Sequence, residues 1–562
     1  MLASSAAVRD EAAERIYQRR WWTLGVLCLS LILVVIGNST LNVALPHLAN
    51  EFSATNSQLQ WVVASYSLVF AGLLFTTGAL GDRFGRKGAL QAGLVVFLVA
   101  TIAAAFAGSM GELIVWRCVM GAGAALVMPS TLSILVNVFP AEERTRAIAI
   151  WAGVTGGAGA VGPVASGFIL AHSDSIGPIF LINVPVIIVA LIAGRFLVPT
   201  SKDPLHERLD PTGAVLSIAG ISLLVYALIQ APEVGWTAPN TLAAFAVSAA
   251  ILVGFVLWER RSDHPMLDME LFKNPSFSTA AGGMLLVFMA MYGVMFLITM
   301  YFQFVLGYSA LSTAIRFLPI TPIMVIVAPM TPRIAARIGA NRTVASGLGL
   351  VAVGLLLFRG LGLDTHYWYI LLSLGILVLG ISLAMTPMTS SMMSAVPANR
   401  AGQGSSMNDA TRELGSALGV AVLGSIASSH YATAIADSVK GLPTAVQDVA
   451  TKSLGDALGA AGSLPGEAGA ALARGADLAF VGGVHLAVTV GAALSLFAAL
   501  CVLKFLPRTT VHQGEAEVGG AVVDGAPVGA PVSFGGVDMI DITTGTDAPV
   551  GLGADSPAVL NN

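Results

Sequence analysis

Two carboxylates and an arginine lie close together in an apolar stretch of the C-terminal third of the chain. Asp409, Arg412 and Glu413 occupy positions i, i+3 and i+4, so a helix would place them on one face. Two ionised carboxylates one turn apart repel each other, whereas Arg412, three residues from Asp409, can pair with it. The spacing predicts a pair that shares one exchangeable proton and attracts cations. The alternative is the solvated start of a helix, without such chemistry.

A further ionisable group, Arg117, lies in a separate apolar stretch, just before Gly121 and Gly123. Ionisable side chains inside membrane spans are costly, and they indicate function by default. A guanidinium keeps its proton in proteins, so we expect Arg117 to act as a fixed positive charge beside a carboxylate or a water chain. The alternative is a side chain that snorkels to the surface from the end of its helix.

The composition is that of a polytopic membrane protein. Hydrophobic residues make up 56% of the chain and charged residues 11%, with a mean hydropathy of +0.81. Soluble proteins carry roughly 25% charged residues. We expect the lipid bilayer to be a partner of the chain and nucleic acid not to be one.

The chain lacks the patterns of an enzyme or of a nucleotide-driven pump. It contains no P-loop, no His-rich metal cluster and no serine elbow. Cys28, Cys118 and Cys501 lie in apolar segments without metal-ligand spacing. We therefore expect no catalytic residue, no metal and no cofactor. A channel remains an alternative class, although it would need repeated rings of pore-lining residues.

Hydropathy predicts an all-α polytopic membrane protein with fourteen transmembrane helices, since one span needs about 20 apolar residues. The approximate bounds of these spans are 22–46, 58–80, 89–108, 112–138, 146–171, 177–199, 212–231, 240–259, 277–305, 312–331, 343–362, 367–393, 402–429 and 478–506.

Lysine and arginine concentrate on one side of these spans. Neither residue occurs in the short loops of the opposite side, near 47–57, 172–176, 232–239, 306–311 and 363–366. Because positively charged loops remain in the cytoplasm, both termini are predicted to be cytoplasmic. The expected location is the plasma membrane.

An internal repeat predicts two homologous six-helix halves. The segment 128–131, Met-Pro-Ser-Thr, precedes Pro-Ala-Glu-Glu-Arg at 140–144, and Pro-Met-Thr-Ser at 387–390 precedes Pro-Ala-Asn-Arg at 397–400. Two extra helices then lie between the halves. The predicted domains are a cytoplasmic leader (1–21), a first half (22–199), an inserted pair with its loops (200–276), a second half (277–508) with an outer loop (430–477), and a disordered cytoplasmic tail (509–562).

The stretch 78–87 lies between two apolar segments and reads as a tight loop, in which Gly81 and Gly85 allow a sharp turn. It resembles the signature G-x-x-x-D-R-x-G-R-K of the major facilitator superfamily. The resemblance implies a major facilitator fold and a cytoplasmic gating loop that biases its two access states. The gating residues would be Gly78, Gly81, Asp82, Arg83, Gly85, Arg86 and Lys87.

Further elements resemble the fourteen-span drug:proton antiporters of that superfamily. Span 5 resembles G-P-x-x-G-G, with Ser166 in place of one glycine, and the resemblance implies an antiporter helix built on Gly159, Gly162, Pro163 and Gly167. Span 1 ends in a similar N-V-A-L-P element, but Gly37 stands where many members carry an aspartate. Proton coupling is then expected at Arg117, Asp409, Arg412 and Glu413.

The function implied by the resemblance is proton-driven export of lipophilic, cationic drugs or toxic compounds by alternating-access antiport. The partners would be small-molecule substrates and protons, and the transporter would act as a monomer. The residues that we expect to line a substrate pocket are Asn38, Asn42, Tyr292, Met295, Phe296, Gln303 and Asn408. Ordinary packing or lipid contact remains an alternative for them. The rival function is a same-fold exporter of one endogenous metabolite, such as an antibiotic or a siderophore.

Overall fold

The computed structural model describes residues 2–173, 175–200, 210–262, 265, 267, 269–396 and 401–508. Long helices dominate this part of the chain, and the prediction of an all-α fold is confirmed. The helices are α1 (Leu2–Phe52), α2 (Asn56–Phe84), α3 (Arg86–Ala105), α4 (Met110–Val138), α5 (Ala141–Leu170), α6 (Gly177–Leu181), α7 (Asn183–Leu197), α8 (Pro211–Val234), α9 (Pro239–Glu259), α10 (Pro275–Met300), α11 (Ala310–Phe317), α12 (Thr321–Ile338), α13 (Ala340–Leu357), α14 (Tyr367–Ser394), α15 (Ala401–Ser438), α16 (Thr444–Ala450), α17 (Leu454–Ser463) and α18 (Glu467–Phe505).

Thirteen helical segments of the described residues are long and apolar enough to cross a membrane. Four of them join consecutive elements: α6 with α7, α10 with the π-helical turn Tyr301–Val305, α11 with α12, and α13 with the 3-10 turn Phe358–Gly360. The 30-residue helix α5 would complete fourteen passes, although only its part Val161–Leu170 counts as an apolar helix. The structure is therefore consistent with the predicted fourteen spans.

The helices run back and forth between two ends of the bundle. We name the Gly85 end after the turn between α2 and α3, and the Ser309 end after the residue that precedes α11. At the Gly85 end, Arg20 forms an ion pair with Glu143 at 2.7 Å. At the Ser309 end, Glu51 accepts a hydrogen bond from the backbone N–H of Ile176 at 3.1 Å.

The Gly85 turn corrects one prediction from the sequence. Instead of a ten-residue loop, α2 continues to Phe84 and α3 begins at Arg86, so Gly85 alone separates the two helices. Its φ of 111° is a conformation that glycine adopts without strain, while Gly81 lies inside α2 and makes no turn. The expectation for Gly85 was correct, and the expectation for Gly81 was wrong.

The two predicted halves contain a matching turn between consecutive helices. Gly339 separates α12 from α13 with a φ of 95°, as Gly85 separates α2 from α3. Both glycines donate their N–H to the carbonyl four residues earlier, at 2.9 Å. Between the halves, α8 packs against α2 and α15, and α9 packs against α8.

Several helices extend beyond the predicted spans. The predicted leader 1–21 is part of α1, which begins at Leu2. Helix α15 continues to Ser438 and α18 begins at Glu467, so the connection between them is shorter than the predicted loop 430–477. The connection contains α16 and α17, and the hydroxyl of Tyr431 lies 2.8 Å from the Ala450 carbonyl oxygen. The predicted tail 509–562 and the repeat motif 397–400 lie outside the described residues.

Candidate functional site

Arg117 lies at the centre of the first half and is completely buried. Its Nε donates to the carbonyl oxygen of Val62 on α2 at 3.0 Å, and one terminal nitrogen donates to the carbonyl oxygen of Gly37 on α1 at 2.7 Å. The guanidinium carbon lies 4.5 Å from the ring centroid of Tyr66, a cation–π contact. These contacts exclude the snorkelling alternative, because the charge is held inside the bundle and ties three helices together.

Gly37 takes part in this site through its backbone. Its carbonyl oxygen accepts a hydrogen bond from Arg117. Many of the antiporters that the chain resembles carry an aspartate at this position. A Cβ at position 37 would lie 2.7 Å from the ring of Phe97, so the present packing leaves no room for a side chain. The first half therefore holds a buried positive charge whose partner on α1 is a neutral carbonyl.

The second terminal nitrogen of Arg117 has no hydrogen-bond partner within the described part of the chain, and neither has Oε2 of Glu413. Both atoms are buried, and an unpaired buried charge is expensive. The charges of Arg117 and Glu413 interact across the boundary between the two halves. The structure thus brings together two candidates that are nearly 300 residues apart in sequence.

Glu413 lies against α2 of the other half. The hydroxyl of Ser67 lies beside its carboxylate, and Ser67 Oγ is 3.1 Å from Ser416 Oγ, one turn further along α15. Tyr66 of α2 and Tyr292 of α10 also lie close enough to interact electrostatically with Glu413. The Tyr66 hydroxyl donates to the Val34 carbonyl oxygen at 3.1 Å, so Ser67 supplies the hydroxyl that lies next to the carboxylate.

Asp409 has a different environment from Glu413, although both lie on α15. It pairs with Arg412 at 3.6 Å, and the guanidinium of Arg412 lies 4.9 Å from the ring centroid of Phe288. Asn408 accepts a hydrogen bond from Thr389 of α14 at 3.2 Å. The two carboxylates are therefore not equivalent, since Asp409 forms the ion pair with Arg412, whereas Oε2 of Glu413 has no hydrogen-bond partner among the described residues.

The predicted antiporter helix is α5, and its glycines differ in surroundings. A Cβ on Gly162 would overlap Ser39 of α1, in the same half. A Cβ on Gly167 would lie 2.7 Å from Cα of Leu311 on α11, in the other half. Gly159 has open space around its Cβ position, and Pro163 is half-buried. Gly167 therefore allows the two halves to touch at the Ser309 end.

The gating residues lie at the Gly85 end. Lys87 donates to the carbonyl oxygen of Arg195 at 2.8 Å, near the end of α7. A Cβ on Gly78 would lie 3.7 Å from Pro129 of α4, so α2 and α4 approach each other closely there. Arg86 is half-buried, and the side chains of Asp82 and Arg83 lie outside the described residues.

The residues expected to line a pocket differ in their surroundings. Phe296 is only 3% exposed and belongs to the hydrophobic core, which favours the packing alternative for it. Gln303 instead bridges the halves at the Ser309 end, because its Nε2 donates to the Val43 carbonyl oxygen at 2.8 Å. The oxygen Oδ1 of Asn38 is buried without a partner in the described residues. Asn42, Tyr292, Met295 and Asn408 are half-buried.

Three residues near the charged pair were missed in the sequence: Tyr66, Ser67 and Ser416. A signal for Ser67 exists, because Ser57, Gln60 and Ser67 follow one face of α2 at helical spacing. Tyr66 and Ser416 carry no such signal, since their importance depends on which helices face each other.

Three comparisons relate the chain to known proteins. The sequence model described as Major Facilitator Superfamily matches residues 27–420. The chain is 35% identical to the multidrug efflux pump LfrA of Mycolicibacterium smegmatis, over 86% of this chain and 96% of that protein. It is 30% identical to the tetracenomycin C resistance and export protein of Streptomyces glaucescens, over 89% and 94% of the two chains.

A solved structure shares the fold at low sequence identity. It is a bacterial homologue of the human lysosomal transporter Spinster, with a TM-score of 0.61 and 17% identity. The alignment covers 87% of this chain and 98% of that one.

Proposed function

Because this chain belongs to the major facilitator superfamily, we propose that it exports lipophilic, cationic drugs or toxic compounds across the plasma membrane in exchange for protons. One observation carries the proposal: the buried Arg117 of the first half and Glu413 of the second half lie close enough for their charges to interact across the boundary at which the halves must move. The similarity to proteins named multidrug efflux pump and resistance protein supports the substrate class.

Glu413 is the proton carrier in this proposal. Its buried Oε2 lacks a partner among the described residues, so the carboxyl group is stable only when it holds a proton or meets a cation. A lipophilic cation and a proton then compete for one group, which is the requirement for exchange. Asp409 already has Arg412 beside it, so we assign to it an influence on cation preference.

Arg117 supplies the link between protonation and movement. Its hydrogen bonds to α1 and α2 fix the guanidinium within the first half, while Glu413 moves with the second. Alternating access is largely a rigid-body rocking of the two repeats. The attraction between the two charges therefore depends on both the protonation state and the conformation, so a proton on Glu413 changes the balance between the two access states.

Contacts between the two halves indicate which end of the bundle is closed in this conformation. At the Ser309 end, Gly167 packs on Leu311 and Gln303 bonds to the Val43 carbonyl oxygen, so this end is closed. The positive-inside rule assigns the Gly85 end, with Lys87, to the cytoplasm. Both termini are then cytoplasmic, the gating residues bias the two states from that side, and one monomer contains the complete pathway.

Export from everted vesicles tests the proposal. With an imposed pH gradient, Glu413→Gln abolishes proton-driven transport of ethidium, because the amide cannot carry the proton. Asp409→Asn, the matched control on the same helix, keeps coupling and changes the preference among cations. Proton-driven transport at the parental rate in Glu413→Gln would overturn the assignment.

The rival function, export of one endogenous metabolite, is favoured by the similarity to the tetracenomycin C resistance and export protein. A panel of structurally unrelated lipophilic cations separates the two functions. Multidrug export predicts reduced sensitivity to several members of the panel in cells that overproduce the protein. A dedicated exporter would protect against a single chemical class.

A further inference from the structure

A continuous line of contacts joins Glu413 to the Ser309 end between α2 and α15. We call this line the α2–α15 seam. Its members on α2 are Ser57, Gln60, Ala64 and Ser67, and those on α15 are Ser416, Ala417, Ala421, Gly424, Ser425 and Ser428.

The inner part of the seam is a pair of hydroxyls next to the carboxylate. Ser67 lies beside Glu413 and is 3.1 Å from Ser416 Oγ, and the contact between the two serines is buried. A hydroxyl can accept one proton while it donates another. The pair can therefore pass a proton along the seam and return to its starting state after a rotation of each hydroxyl.

The outer part of the seam is a polar cluster around Gln60. Its amide oxygen lies 3.3 Å from Oγ of Ser425, whose hydroxyl also reaches the Leu228 carbonyl oxygen at 2.6 Å, and its amide nitrogen donates to Ser428 at 3.4 Å. Gly424 makes this approach possible, because a Cβ there would lie 2.8 Å from the amide carbon of Gln60.

This cluster opens into a cavity of about 350 Å³ at the Ser309 end. A cavity of that volume holds several waters. Ser57 and Ser428 of the seam line it, together with Thr55, Asn56, Glu233 and Lys452.

The middle of the seam is apolar in this conformation. Ala64, Ala417 and Ala421 are fully buried, and they pack together in one cluster. Ser67 and Gln60 are seven residues apart, which is about 10 Å along a helix. No hydrogen-bond chain crosses that distance without water, so the alanines form a barrier between two polar parts.

We propose that the α2–α15 seam is a proton route between Glu413 and the cavity at the Ser309 end. The alanines are its gate, and Gln60 and Ser425 are its positioning residues. The inference rests on the proposed function, in which Glu413 carries the proton. One proton leaves the carboxyl group of Glu413 for each proton delivered to the cavity water. The hydroxyl groups of the seam therefore return to their starting protonation state.

Other charged and titratable groups also face Glu413. Arg412 and Asp409 lie on its own helix, Arg117 approaches from α4, and Tyr66 and Tyr292 approach from α2 and α10. None of them reaches the cavity at the Ser309 end, whose lining residues are different. The seam therefore differs from these groups, because polar residues at its two ends lie beside Glu413 and in the lining of that cavity.

A gain-of-function experiment tests the gate. The double variant Ala64→Ser with Ala421→Ser places hydroxyls in the gap, so that successive polar groups are at most about one helical turn apart. In proteoliposomes with an entrapped pH dye and no drug, we expect passive proton influx at least fivefold above the parental rate. The matched control replaces the same two alanines by cysteine, whose thiols are weak hydrogen-bonding groups, and stays near the parental rate.

Adding Glu413→Gln to the double serine variant tests where the route ends. The leak falls to the parental rate if protons pass through Glu413. No leak in the double serine variant would overturn the role of the alanines, and a leak that persists with Glu413→Gln would overturn the connection to Glu413. Glu413→Gln in the otherwise unchanged chain tests the proposed function separately, since it needs no leak.

A loss-of-function arm tests the positioning residues. Gln60→Met keeps the shape of the side chain and removes its amide, and Ser425→Ala removes the hydroxyl. We expect proton-driven ethidium export to fall several-fold in each variant, while downhill equilibration of ethidium without a proton gradient keeps the parental rate. Equal losses in both assays would show a structural role only and would overturn the assignment.

Discussion

The contact between α5 and α11 predicts how one methyl group should shift the balance between the two access states. A Cβ added to Gly167 would lie 2.7 Å from Leu311 Cα and 3.0 Å from the Ala310 carbonyl oxygen, whereas ordinary contacts begin at 3.4 Å. The helices must separate by about 0.7 Å, and the atoms in the way belong to the backbone, so they cannot rotate aside. Overpacking of this kind costs about 1–3 kcal/mol.

That cost applies only while the Ser309 end is closed. Because 1.4 kcal/mol is a factor of ten in an equilibrium constant, Gly167→Ala should reduce the closed population, relative to the open one, by roughly 5-fold to 150-fold. Gly159→Ala is the matched control on the same helix, since no atom of the described residues lies within 4 Å of its Cβ position.

Pulsed electron–electron double resonance measures this change in the population of the closed state. Spin labels at Ser175 and Ser309, one exposed residue from each half at the Ser309 end, report the distance between the halves. The three native cysteines are replaced first. We expect Gly167→Ala to move the distribution to longer distances and Gly159→Ala to leave it as in the parent. Identical distributions in the parent and in Gly167→Ala would refute the assignment of this contact as the closure.

Three further predictions concern the buried arginine, the connection between α15 and α18, and the topology. Arg117→Lys keeps the charge but has one nitrogen in place of the two that now reach the Val62 and Gly37 carbonyl oxygens, so we expect a loss of about 1.5–3 kcal/mol in stability, seen as a lower Tm, and loss of coupled export; an unchanged Tm would contradict the bridging role. Tyr431→Phe removes hydrogen bonds worth about 1 kcal/mol and should accelerate proteolysis between residues 439 and 466, whereas an unchanged rate would show that the hydroxyl does not hold the segment. Ser309→Cys should react with an impermeant thiol reagent from outside intact cells, and Thr200→Cys should react only after permeabilisation; the reverse pattern would contradict the topology.

Most of the architecture follows from the sequence because a lipid-spanning helix must be apolar over a fixed length. The internal repeat in the sequence indicated two halves. The turns at Gly85 and Gly339, one in each half, share a positive φ. Helix ends were less predictable. Gly81 looked like a turn residue, but the intrahelical hydrogen bonds of α2 continue through it, and the outer parts of α15 and α18 are helical although they are less apolar.

The candidate site was only partly predictable. Asp409, Arg412 and Glu413 could be placed on one helix face from their spacing, and their pairing needed no knowledge of other helices. The partner of Arg117 could not be read in this way, because hydropathy gives no information on which helices are neighbours. The Gly37 carbonyl, the Ser67 hydroxyl and the alanine gate depend on the register between helices that are distant in sequence, and a single sequence does not contain that register.

A drug cation and a proton compete for Glu413 in the proposed exchange. Proton release from the purified protein, in weakly buffered detergent solution near neutral pH, measures this competition when ethidium is added. We expect the parent to release protons in proportion to bound ethidium and Glu413→Gln to bind ethidium without release. Release of equal size from Glu413→Gln would contradict the claim, because the proton would then come from another group.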